Sequence, residues 1–315
     1  MRLLLAFALV AGTALLAAVP LLGDAVLIQY GINALLFATL AQSWNIIGGF
    51  TGYPSFGNSV FFGLGVYGTA IAMTQFGLPF WAGLCAGAAL SVLCAVLFGL
   101  PVLRLRGHYF AIATLGLSFA VAAVISNLEI AGANIGIILP LIRADDMFYE
   151  LALGLLVACV GCVFWISRSR FGMGLIAIRE DEHAAAAMGV NTTLYKTAAL
   201  VLAAFFSAIA GGIYAYWITF IDPASAFDPT LNVRMVIMAM FGGPGTVLGP
   251  VLGALVLSAV YEVLASWIST AAALLFGLVI VVAVIFMPRG LADLAVGIRR
   301  QGIGYLLQNI RQHRL

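Results

Sequence analysis

Residues 79–100 read PFWAGLCAGAALSVLCAVLFGL, a run without a single charged side chain. Coiled as an α-helix at 1.5 Å per residue it reaches about 33 Å, enough to cross the ~30 Å hydrocarbon core of a bilayer. Apolar runs of similar length recur at 3–22, 25–47, 57–76, 108–126, 150–166, 197–221 and 268–288. Over 315 residues the chain is 64% hydrophobic and 8% charged, against roughly 25% charged in soluble domains. Its 14 basic and 12 acidic side chains cannot clothe a soluble globule of this size, so the missing polar surface faces lipid. The expected fold is an all-α polytopic membrane protein: one transmembrane domain over 1–288, then a basic tail over 289–315.

The stretch 231–264 is also apolar, but Gly242-Gly243-Pro244-Gly245 and Gly249-Pro250 interrupt it. It therefore reads as two pieces, a re-entrant hairpin or two short crossings. Basic residues concentrate on the cytoplasmic side of membrane proteins. Arg104 and Arg106 place 101–107 inside, and Arg168, Arg170, Arg179 and Lys196 place 167–196 inside. Acidic connections at 127–150 and 222–228 read as external. Arg289, Arg299, Arg300, Arg311 and Arg314 put the tail inside, which requires an even count of eight to ten spans with both termini cytoplasmic. The first run, led by Arg2 and ending in small residues, is either an uncleaved span or a cleaved signal peptide.

Several motifs are decoys. Gly63-Leu64-Gly65-Val66-Tyr67-Gly68 matches a dinucleotide-binding pattern by letter, yet no strand precedes it and it lies inside a span. Close helix packing explains it, as it does Gly83 with Gly87 and Gly249 with Gly253. Cys159 and Cys162 have CxxC spacing without further metal ligands nearby in sequence, and read as packing residues. His108, His183 and His313 are scattered, without a nucleophile beside them. A phosphate-binding loop needs Gly-Lys, and the only lysine, Lys196, follows Tyr195. The chain is expected to carry no ATPase site, cofactor or metal and not to act as an enzyme. With a formal charge of +2 it offers no broad basic patch for nucleic acid.

The span interiors read as nearly free of charge, with Glu129, Glu262 and Arg234 near predicted span ends, which weakens an ion-coupled carrier. Uncharged polar groups do occur at depth. In the second run Gln29 and Asn33 point to one side and Gln42 and Asn45 to the other, for interhelical hydrogen bonding or for lining a pathway. Glycine-rich breaks stand at Gly48–Gly57 and Gly242–Pro250. Interrupted segments in corresponding positions of two halves point to a transport site, while the first break also reads as an ordinary cytoplasmic turn. The candidate pathway residues are Gln42, Asn45, Tyr53, Ser55, Asn58, Gly242, Gly243 and Gly245.

Between Ser167 and Lys196 a charged stretch leads into an alanine run that favours helix, with Gly189 as its stop. This predicts a short helix over 179–189 outside the membrane. Arg179-Glu180-Asp181-Glu182 followed by alanines, then Met188-Gly189-Val190-Asn191 and Lys196, resembles the coupling loop of LivM-type permeases, the membrane subunits of branched-chain amino acid ABC importers. Thr51–Gly57, Arg104–Ala111 and Phe241–Thr246 resemble three further motifs of that family, and the similarity spans roughly 30–290. The general importer pattern, Glu-Ala-Ala then Gly four places on, is here His183-Ala184-Ala185 before Gly189, with Glu182 one place early.

The resemblance implies a bacterial inner-membrane importer. A periplasmic binding protein would deliver substrate, a second homologous permease would complete the pathway, and two ATPase subunits would dock on the coupling loop through Arg179, Glu180, Glu182, Ala185 and Gly189. A urea or short-amide permease of the same architecture, a stand-alone secondary carrier and an intramembrane transferase are the alternatives at this stage.

Overall fold

In a computed structural model, residues 12–13, 16–22, 24–105, 107–142, 144–267, 274, 276–278 and 290–291 are described. Most of the first and last predicted spans, and the tail after 291, lie outside them. So do the total span count and the sidedness of the termini.

The described chain is mostly helical. Helix α1 (Ala25–Trp44) continues as a π-helical turn over Asn45–Gly49. It is followed by α2 (Asn58–Thr74), α3 (Phe80–Val102), α4 (His108–Asn127) and α5 (Asp145–Ile166). Two short helices, α6 (Arg170–Glu180) and α7 (Glu182–Ala187), precede α8 (Thr192–Ile218). A single turn α9 (Pro223–Ala226), the 14-residue α10 (Pro229–Gly242) and α11 (Gly249–Trp267) complete it. Among the described residues six helices are long and apolar enough to cross a membrane.

Short polar side chains start these helices by accepting from the free N–H groups of the first turn. Asp24 does so for α1, Asn191 for α8, Asp222 for α9 and Asp228 for α10. Helix α5 opens five residues before its predicted apolar run because Asp145 and Asp146 favour the positive end of the helix dipole. Helix α8 stops at Ile218 because Thr219 turns left-handed, at φ 64°.

Helix α8 is the most buried of the six long apolar helices. It packs against α1, α2, α3 and α5, while α10 and α11 pack on each other and on α1. Glycines set the α2–α3–α8 contact: a methyl group on Gly65 would stand 2.1 Å from the Ala208 carbonyl oxygen, and one on Gly211 2.2 Å from that of Phe62. One on Gly87 would stand 2.8 Å from the Gly65 carbonyl oxygen. The Gly63–Gly68 run is thus a packing surface, as expected.

The 231–264 stretch is two helices, α10 and α11, joined by a loop at 243–248. A short strand pair links the 127–150 connection to the residues just before the 222–228 connection. Ile137–Ile138 pairs antiparallel with Phe220–Ile221, in register Ile137 to Ile221.

Candidate functional site: the coupling junction

The 167–196 connection folds against the membrane helices. Ser169 caps α6 by accepting from the Gly172 amide. Leu175 and Ile178 are buried, and Phe171 stacks on Tyr195 of α8 at 5.4 Å. The single helix expected over 179–189 is corrected to two, because Asp181 takes an extended conformation (φ −157°) and ends α6. Its carboxylate turns to cap α7, accepting from His183 N at 2.8 Å and Ala184 N at 3.0 Å. Those backbone bonds hold the Asp181 carboxyl below its ordinary range. The alanine run then ends at Gly189, as read from the sequence, with φ +87°.

Lys196, one turn into α8, is 3% exposed. Its ammonium donates to Glu182 Oε1 at 2.6 Å, to the Leu103 carbonyl oxygen at 3.1 Å and to the Tyr53 hydroxyl at 3.2 Å. Three N–H donors meet three acceptors, so the buried cation is fully satisfied. The Tyr53 hydroxyl in turn donates to Glu182 Oε2, and Lys196 stands 4.5 Å from the centre of the Tyr53 ring. Burial pushes the Glu182 carboxyl up, but the hydrogen bonds from Lys196 and Tyr53 outweigh it and hold the carboxyl below its ordinary value. One ion pair thereby joins α7, α8, the end of α3 and the first glycine break.

Arg179 makes the second connection. Its Nη1 donates to the Gly49 carbonyl oxygen at 3.0 Å, and a methyl group on Gly245 would come within 2.7 Å of the same nitrogen. The two glycine breaks meet here. Asn45 accepts from the Gly245 amide at 2.7 Å and donates to the Thr246 carbonyl at 2.9 Å, and Gln42 donates to the Val247 carbonyl at 2.9 Å. Gln42 and Asn45 thus tie α1 to the 243–248 loop, while Gln42 Oε1 is buried without a hydrogen-bond partner. Glycine is required at both edges: Gly245 has φ +77°, and a methyl group on Gly49 would stand 2.5 Å from the Gly245 nitrogen. Gly243, at φ +114°, ends α10, and its carbonyl accepts from Thr246 Oγ1 at 2.7 Å. Gly242 packs on the Gly249 carbonyl.

The first break is not an ordinary solvent turn. Thr51, Tyr53, Ser55 and Asn58 are all buried. Trp44 Nε1 donates to the Ser55 carbonyl at 2.8 Å, and the Phe56 amide donates to Thr114 Oγ1 at 3.0 Å. Ser59 then pairs with Asn232 of α10: its amide donates to Oδ1 at 2.8 Å, and Nδ2 donates to its hydroxyl at 2.6 Å. The neighbouring Asn58 amide has no hydrogen-bond partner in the structure.

Of the residues expected to face an ATPase, Glu180 is exposed, whereas the Glu182 carboxylate turns inward and Ala185 is buried beneath α7. Met188 beside Gly189 is 86% exposed. Sequence reasoning missed the partners of Lys196; the one available signal was that the chain's single lysine falls in the charged 167–196 segment.

A multi-pass helical protein whose longest polar connection is bolted to the interruptions of its own membrane helices has the build of a transport permease. Residues 26–286 match the family described as branched-chain amino acid transport system / permease component, and the chain belongs to that family. Among its relatives is the high-affinity branched-chain amino acid transport system permease protein LivM of Salmonella typhimurium LT2. It is 28% identical over 289 residues, covering 82% of this chain and 68% of that protein. LivM of Escherichia coli K12 is 27% identical over the same length and coverage.

Proposed function

We propose that this chain is the membrane subunit of a bacterial inner-membrane ABC importer for branched-chain, hydrophobic amino acids. A second homologous permease completes the pathway, two ATPase subunits dock on the 167–196 segment, and a periplasmic binding protein delivers substrate on the opposite side, with both termini cytoplasmic. Family membership and the names of the relatives support the substrate class. The observation that carries the mechanism is the buried Lys196–Glu182–Tyr53 cluster beside Arg179 and the paired glycine breaks.

Closure of the ATPases on nucleotide would displace α7. Because Glu182 is fixed to Lys196, that displacement pulls on the first turn of α8 and on the segment after Gly52. Because Arg179 is fixed to Gly49, it also loads the hinge between α1 and the 243–248 loop. Two packings of this junction would then be inward- and outward-open states, with nucleotide setting their populations. Glu180 and Met188 are left as the outward contacts of the docking face.

Mass spectrometry of what co-purifies with the tagged chain from mild detergent in its own host tests the assignment. Two ATPases and a second permease are expected; recovery of the chain alone, stable and monodisperse, with uptake driven by an ion gradient, would overturn it.

A further inference from the structure

Arg234 of α10 stands between two cavities. The larger, about 210 Å³, is lined by Asn33 and Phe37 of α1, Phe62 of α2, Tyr214 of α8 and Ser225 of α9 as well as Arg234. That is below the ~300–1,000 Å³ of drug-sized pockets and suits a solute the size of an amino acid. The smaller shares Asn33, Phe37 and Arg234 and reaches Tyr261 and Glu262 of α11. Phe37 is midway along the apolar helix Ala25–Gly49, so the half-buried guanidinium faces the side of an apolar helix, where a charge is costly to hold and marks function.

What holds this charge is incomplete. The guanidinium carbon is 5.1 Å from the centre of the Tyr261 ring and 6.0 Å from that of Phe37, which offsets part of the desolvation. Among the described residues no carboxylate pairs with it, Glu262 included. The stretches 1–23 and 268–288 contain no Asp or Glu that could. Arginine's planar fork matches a carboxylate bidentately, and aromatic and aliphatic walls surround it.

We infer that Arg234 binds the carboxylate of an apolar amino acid in transit, with Phe37, Phe62 and Tyr214 against the hydrocarbon side chain. This rests on the importer reading and sharpens it, because urea and neutral amides carry no carboxylate for Arg234 to bind.

The test is equilibrium binding of radiolabelled L-leucine to the purified full-length chain, with 4-methylpentanoate and urea as competitors, beside leucine and urea uptake by cells carrying the complete transporter. Leucine should bind, 4-methylpentanoate should compete and urea should not. Arg234→Gln should weaken binding roughly ten- to a hundredfold, the loss of a charge-assisted hydrogen bond, and Arg234→Lys should weaken it less. Elution and melting like wild type show that the variants fold. Unchanged leucine binding in Arg234→Gln, or no binding to a wild-type chain whose complex takes up leucine, would overturn the site and leave the importer reading standing. Uptake of urea but not leucine would overturn both.

Discussion

Removing one partner of the Lys196–Glu182 pair tests whether it is a mechanical strut. Breaking a buried ion pair costs about 3–5 kcal/mol, most of it from the charge left behind. Lys196→Met strands a carboxylate that is 14% exposed and still accepts from Tyr53, so about 2–3 kcal/mol is expected. Glu182→Met strands an ammonium that is 3% exposed but keeps the Leu103 carbonyl and the Tyr53 hydroxyl, so about 3–4 kcal/mol is expected. The double variant buries two apolar chains of similar length and should melt within a few degrees of wild type, since well-packed apolar replacements of buried pairs are often neutral. At about 2 °C per kcal/mol, each single variant should melt roughly 4–8 °C lower. Thermal unfolding in mild detergent gives the cycle, and ATP-driven leucine uptake by the assembled transporter gives the function. The stable double variant should take up leucine far more slowly than wild type, because the ion pair no longer couples α7 to α8. Single effects that add to within about 0.5 kcal/mol, or wild-type uptake by the double variant, would refute the strut.

Other perturbations probe the same junction. The Glu182 carboxyl is held below its ordinary value of 4.5, so its contribution is complete above that pH and is lost as pH falls through the lower folded value. Melting temperature should therefore drop on acidification below about pH 4.5, and Glu182→Gln should flatten that drop. Gly65→Ala drives a methyl group into the Ala208 carbonyl at 2.1 Å and should cost about 1–3 kcal/mol or more. Gly189→Ala meets nothing within 4 Å and should cost only the left-handed strain, about 1–2 kcal/mol; a larger melting loss for Gly189→Ala than for Gly65→Ala would contradict this reading. Asn45→Asp keeps the acceptor for Gly245 but loses the donor to Thr246 and buries a charge, so it should lower melting more than Asn45→Ala. Charge reversal at exposed Glu180 should weaken ATPase co-purification without changing the melting of the isolated chain.

The sequence by itself determined the membrane class, the positions of the described apolar helices, the split of 231–264 and the stop at Gly189. These are local matters: run length, glycine and proline punctuation, and a helix-favouring alanine run decide them before any long-range contact forms. Its motif resemblance also reached the family. Only the tertiary structure decided what the polar residues do, because a side chain's partner is set by distance in space. Asn45 and Gly245 are two hundred positions apart, yet one amide and one carbonyl of that loop give both ends of the Asn45 side chain a partner. Glu182 reads as an outward docking acid until Lys196, fourteen residues on, draws it inward. The break in the coupling helix at Asp181 is a contest that sequence leaves level, since the residue can continue one helix or cap the next, and the inward pull on Glu182 favours the cap. Arg234 reads as a span-end charge, and only the packing of α10 shows that it faces Phe37 and Tyr261.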